Sequence, residues 1–131
     1  MRIAAFLLLL LSQAQSRVEP EAQLAEAKRL GEFALFDRAE EILRSYLKAS
    51  PAEPQLQKMT PEFRAALCEV LLAARKYDDL KVEADPLRKN PKTRVHALSI
   101  LAAGAWHAGQ IAEALEFCDE GDKAAADPGS T

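Results

Sequence analysis

The side chains with the widest chemical range in this 131-residue sequence are two histidines, His96 and His107, two cysteines, Cys68 and Cys118, and one tryptophan, Trp106. On one helix, His96 and His107 would stand about 16 Å apart at ~1.5 Å per residue. That is too far for a shared metal, so they read as helix-surface histidines and no metal site is expected. The acidic cluster Glu113, Glu116, Asp119, Glu120 and Asp122 lacks the ligand loop and central glycine of a calcium site. It reads as a solvated helix face. Asp78 and Asp79 read as cap and dipole partners at a helix start. The sequence has no glycine-rich phosphate loop, nucleophile elbow, HExxH or CxxC, and nothing gathers the scattered serines and the histidines into a triad. No catalytic residue and no cofactor is expected.

The elements that would carry these residues are helices throughout, with no strand-like alternation. A first pair runs from about Ala22 to Ala49. Leu24, Ala27, Leu30 and Phe33 form its first stripe, and a break near Ala34 and Leu35 precedes a second helix from Phe36. Ala39, Ile42, Leu43, Tyr46 and Leu47 face inward, while Glu40 with Arg44 and Glu41 with Ser45 face outward; Ser50-Pro51 closes the pair. Ala52 to Met59 reads as a loop. The second pair opens with Thr60 as N-cap, Pro61 at the first helical position and Glu62 in the first turn. Phe63, Ala66, Leu67, Val70, Leu71 and Ala74 form its apolar face. Its second helix starts at Tyr77, is expected to be short or kinked because of Pro86, and ends at Asn90-Pro91. The third pair has Thr93 as N-cap, then Val95, Leu98, Leu101, Ala102 and Ala105. Ala108-Gly109-Gln110 makes the turn, and Ile111, Ala114, Leu115 and Cys118 return, with Gly121 at a close approach and Asp127-Pro128-Gly129 as the stop. Cys68 and Cys118 then fall on second-neighbour helices, beyond the ~7 Å Cα limit of a disulfide. Two buried thiols are expected instead.

Arg2, the apolar run Ile3 to Leu11 and the small residues Ser12 and Ala14 read as a signal peptide over residues 1–14. The run is about half of the ~20 residues a membrane span needs. Export to the periplasm or the outside of the cell is therefore expected, with no stable membrane span after cleavage. Without Arg2 the chain holds 16 basic and 20 acidic residues and a formal charge of -4, which argues against nucleic acid.

The step from Tyr77 to Ile111 is 34 residues, and Leu67, Cys68, Leu71, Tyr77 and Leu80 align with Leu101, Ala102, Ala105, Ile111 and Ala114. The pattern resembles the tetratricopeptide repeat family. Leu98, Leu101, Ala102, Ala105, Gly109, Ile111, Ala114, Cys118 and Gly121 carry the resemblance in the third pair. Leu67, Cys68, Leu71 and Tyr77 carry it in the second, and Ala27, Leu30, Phe36, Ala39, Leu43 and Pro51 in the first. It implies an all-α domain over 22–128, with repeats at about 20–53, 61–94 and 95–128 stacked as a short right-handed α-solenoid. It also implies a concave groove that binds a peptide or protein. That groove would receive Leu24 and Lys28, then Ala65, Glu69 and Leu72, then His96, Ser99, Ala103 and Trp106. Glu69 stands where the family's terminal-carboxylate clamp would want a basic or amide residue, which argues against that mode. Trp106 could anchor a ligand or pack against a following helix.

The expectation is a noncatalytic protein-protein or peptide interaction module. The rival is an N-terminal regulatory or sensing array of a longer exported enzyme, motivated by the lack of a polar capping helix before Thr131. A third reading is self-association through that C-terminal end.

Overall fold

The computed structural model describes residues 19–52 and 57–127. Within them lie six α-helices and no strand: α1 Pro20–Glu32, α2 Phe36–Ala49, α3 Thr60–Ala73, α4 Tyr77–Lys89, α5 Arg94–His107 and α6 Ile111–Ala125, with a 3-10 turn Ser50–Ala52 after α2. The expected leader, the middle of the expected loop and the Pro128-Gly129 stop lie outside the described residues. Each helix packs on the next along the chain, and α3 also packs on both α1 and α5.

Three turns with one backbone shape set this order. Ala34, Arg75 and Gly109 each take a positive φ, 60°, 62° and 80°, and stand two residues before α2, α4 and α6. The next residue has nearly the same angles each time, φ/ψ of -88/60° at Leu35, -92/70° at Lys76 and -91/71° at Gln110. Its amide donates five residues back: Leu35 to the Leu30 carbonyl at 2.9 Å, Lys76 to Leu71 at 2.9 Å, Gln110 to Ala105 at 2.8 Å. This is the long bond of a Schellman closure. Only Gly109 takes the left-handed conformation freely; at Ala34 and Arg75 it costs about 1 kcal/mol each.

Because α3 and α5 have neighbours on both sides, each buries six residues, among them Phe63, Leu67, Leu71, Leu98 and Leu101. The other four helices each bury three. Tyr46 of α2 stacks on Phe63 of α3 with ring centroids 3.5 Å apart and planes 8° from parallel, which ties the first pair to the second. Gly104 allows a close approach of α4 and α5, whereas Gly121, expected at such an approach, faces α5 at an ordinary distance. A Cβ on Gly104 would stand 2.8 Å from Leu80 Cδ2, and one on Gly121 would stand 3.7 Å from Leu98 Cβ.

The second helices of the pairs are joined by charge. Lys76 Nζ meets Glu40 Oε2 at 2.7 Å, and Glu83 accepts from Arg44 of α2 at 3.0 Å and Arg64 of α3 at 2.9 Å. Lys81 reaches Glu113 at 3.0 Å, and Arg88 holds both carboxylate oxygens of Glu120, one of them at 3.1 Å. The hydrogen bond from Lys76, joined by that from Arg44, keeps Glu40 below the usual carboxylate range, against the opposing effect of partial burial.

Several expectations need correcting. Glu40 and Arg44 do not simply face outward; they form this cross-helix network because α4 lies beside α2. Met59, not Thr60, caps α3, so Thr60 and Pro61 are its first helical residues. Thr93 does stand at the cap of α5, but its hydroxyl donates back to the Leu87 carbonyl at 2.7 Å. Pro86 neither shortens nor interrupts α4. Pro86 and Val82, whose carbonyl loses its partner, both lie on the exposed side of the helix, where water can serve that oxygen. In α6 the buried stripe is Ala114, Phe117 and Ala124, while Ile111, Leu115 and Cys118 are exposed. The expected burial of both thiols therefore holds for Cys68 alone. Phe33 and Val95, placed on apolar faces, are also exposed.

Candidate functional site

Helix α5 separates its faces by helical spacing. Ala97, Leu98, Ile100, Leu101 and Ala105 go into the core, which leaves His96, Ser99, Ala103 and Trp106 as one row at intervals of three and four residues. Ala103 is half-buried and the other three are exposed. Trp106 keeps 60% of its surface in solvent, an unusually open position for the largest side chain of the protein.

Neighbouring helices add to this row. Glu69 of α3 places Oε1 3.3 Å from Nε2 of His96, with each side chain about half exposed, 52% and 51%. This is an ion pair whenever the ring is protonated. Ser99 donates to the His96 carbonyl at 2.7 Å, so its hydroxyl oxygen is left to accept from a ligand. One helix further on, Lys28 of α1 and Glu69 line a common cleft of about 320 Å³ floored by Phe36, Val70 and Gly31. The structure therefore brings Lys28, Glu69 and His96 onto one face, with Ser99 and Trp106 along it. Leu72 is half-buried, and its Cδ1 lies 3.8 Å from where a Gly104 Cβ would be, so it serves mainly the α3–α5 contact. Leu24 is buried and unavailable to a ligand. The floor of the cleft escaped the sequence reading, although the apolar Phe36 directly after a helix break was its available signal.

Cys68 is enclosed, and burial, with the Glu83 charge adding to it, pushes its thiol up to about 12, which removes the thiolate nucleophile at neutral pH. Among the described residues no group of three His, Cys, Asp or Glu side chains is placed to hold a metal, and no helix is long and apolar enough to cross a membrane. A larger, polar cleft of about 640 Å³ lies where the ends of α4 and α6 meet the start of α5. Its bases are engaged: Arg88 with Glu120, Lys89 with Asp85, Lys123 with Asp119, and Arg94 with the carbonyls of Arg88 and Lys89. No family model, curated protein or solved structure matches the chain.

Proposed function

We propose that this chain is a noncatalytic, exported interaction module that receives a peptide or protein segment on the face formed by α1, α3 and α5. In this reading residues 1–14 are a cleaved signal peptide. The rest is a short right-handed α-solenoid of three tetratricopeptide-like repeats. Support for the repeats comes from the turns at Ala34, Arg75 and Gly109, which share dihedrals and hydrogen bonds at steps of 41 and 34 residues. The longer step absorbs the insertion between the first two pairs.

The observation that carries the function is the exposed Trp106 on the same helix row as the half-exposed His96–Glu69 pair. A large, flat, amphipathic ring is a strong binding anchor, and Glu69, His96 and Lys28, towards the other end of α5, offer both charge signs to a ligand. A segment with an apolar anchor and a base opposite Glu69 fits this face.

The test uses the mature protein as bait in a cell-envelope extract, with Trp106→Ala and Glu69→Lys as comparisons. A partner retained by the wild type and lost from both variants at unchanged melting temperature is expected. Identical recoveries from all three baits would refute the assignment, as would losses that merely track unfolding.

A further inference from the structure

Gly31, Leu72 and Trp106 each stand three residues before the left-handed residue that ends their helix, Ala34, Arg75 and Gly109. They therefore hold one position in successive pairs. At the joint of α3 and α5 that position supplies Leu72, whose Cδ1 lies 3.8 Å from where a Gly104 Cβ would be. At the joint of α1 and α3 it supplies Gly31, opposite Val70. The leucine of one joint is thus a hydrogen atom in the other, and the cleft of about 320 Å³ opens there over Val70 and Phe36. Neither the backbone nor the neighbours require glycine at this point. Gly31 takes no positive φ, and a Cβ on it would meet Val70 Cγ2 at an ordinary 3.6 Å.

We propose that this cleft receives one aliphatic side chain of the bound segment, carried next to a basic residue. The proposal rests on the reading of the α1–α3–α5 face given above and names what that face selects. The floor is apolar, and the volume lies at the lower end of ligand pockets, which suits a single side chain. The neighbouring joint holds a leucine in the equivalent place, so the cleft asks for the same kind of group from outside.

The rim selects the residue beside it. Lys28 and Glu32 line the cleft from α1 and Glu69 lines it from α3. Among the described residues neither Lys28 nor Glu32 has a hydrogen-bond or ion-pair partner. Glu69 meets His96, which is charged only when protonated. Two carboxylates against one ammonium leave the rim negative at neutral pH, and a cation next to the aliphatic residue complements it.

The test selects a phage-displayed library of random dodecapeptides on the immobilised protein, then titrates one recovered peptide against the protein and its variants. Recovered peptides should be enriched in Leu, Ile or Met adjacent to Lys or Arg. Replacing that aliphatic residue by Ala should weaken binding about ten-fold or more, the effect of leaving one aliphatic side chain in water. Gly31→Leu should weaken the parent peptide equally and make the peptide's own substitution nearly silent, because both changes remove one contact. Ala73→Leu, from the exposed end of α3 on the opposite wall, should act in the same sense, and both variants should keep the wild-type Tm. Wild-type affinity in both cleft variants for a peptide that Trp106→Ala releases would overturn the cleft and leave the face standing. Indifference to all three variants, or no enrichment over bare support, would overturn both. Loss in the two cleft variants with Trp106→Ala unaffected would support the cleft and remove Trp106 from its anchoring role. Enrichment of Asp or Glu beside the aliphatic residue would refute the choice of occupant, as would a dimer of the protein that both cleft variants dissociate, which would give the place to a second copy.

Discussion

Replacing Gly104 by alanine sets two effects of similar size against each other. Glycine in a helix interior is worse than alanine by about 1 kcal/mol, so α5 taken alone would gain from the change. The added Cβ, however, would stand 2.8 Å from Cδ2 of Leu80, with Tyr77 Cδ1 at 3.6 Å and Leu72 Cδ1 at 3.8 Å beside it. Leu80 is 1% exposed, and the void that borders it and Gly104 holds only about 10 Å³, so its methyl group has little space to enter. Overpacking of a filled core costs about 1–3 kcal/mol, which outweighs the propensity gain and leaves a net loss of about 1 kcal/mol. For a domain of this size that lowers Tm by about 4 °C, measurable by circular dichroism. Gly121→Ala is the matched control, because its Cβ would make only an ordinary contact at 3.7 Å with Leu98. It should raise Tm by a few degrees, since propensity then acts alone. A rise in Tm for Gly104→Ala, equal to that of Gly121→Ala, would refute the close approach of α4 and α5.

Ala34→Gly and Arg75→Gly, against the usual cost of added glycine, should each stabilise by about 0.5–1 kcal/mol by relieving a left-handed backbone; urea titration reads this directly. Iodoacetamide should label Cys118 within minutes in the folded protein and Cys68 only after denaturation, as intact-mass spectrometry would record, because one thiol is exposed and the other is pushed up to about 12 by burial. Glu40→Gln should cost about 1 kcal/mol at pH 7. Since Glu40 is held below the ordinary 4.5, its contribution is present at neutral pH and lost as pH falls through that lowered value. The Tm of the variant should therefore fall less steeply with acid than that of the wild type.

Helix number, order and approximate ends were legible because the turn chemistry is local. Gly109, Ser50-Pro51 and Asn90-Pro91 mark breaks by their own backbone preferences. The Ala34 and Arg75 turns were legible only through the apolar residues that resume at Phe36 and Tyr77, since neither residue favours a positive φ. In α6, Ala114, Phe117 and Ala124 form one apolar stripe and Ile111, Leu115 and Cys118 another. Periodicity alone cannot choose between two such stripes; the packing of α5 does, and it takes the one containing Phe117. The ladder from Glu40 to Glu120 was hidden because its cross-helix partners stand 19 to 39 residues apart, whereas charge patterning in a single helix reveals only neighbours three or four residues away. The row from His96 to Trp106 could be read from spacing, but the cleft between Lys28 and Glu69 depends on how α1 meets α3.

The central claim, that the α1–α3–α5 face receives the partner, is tested most directly by site-specific photocrosslinking in cell-envelope extract. A photoreactive amino acid is placed either at Ser99, exposed on α5, or at Val82, 70% exposed on α4. The account predicts a discrete adduct from position 99, abolished by Trp106→Ala, and none from position 82. An adduct from position 82 alone, or one from position 99 that persists without Trp106, would contradict it.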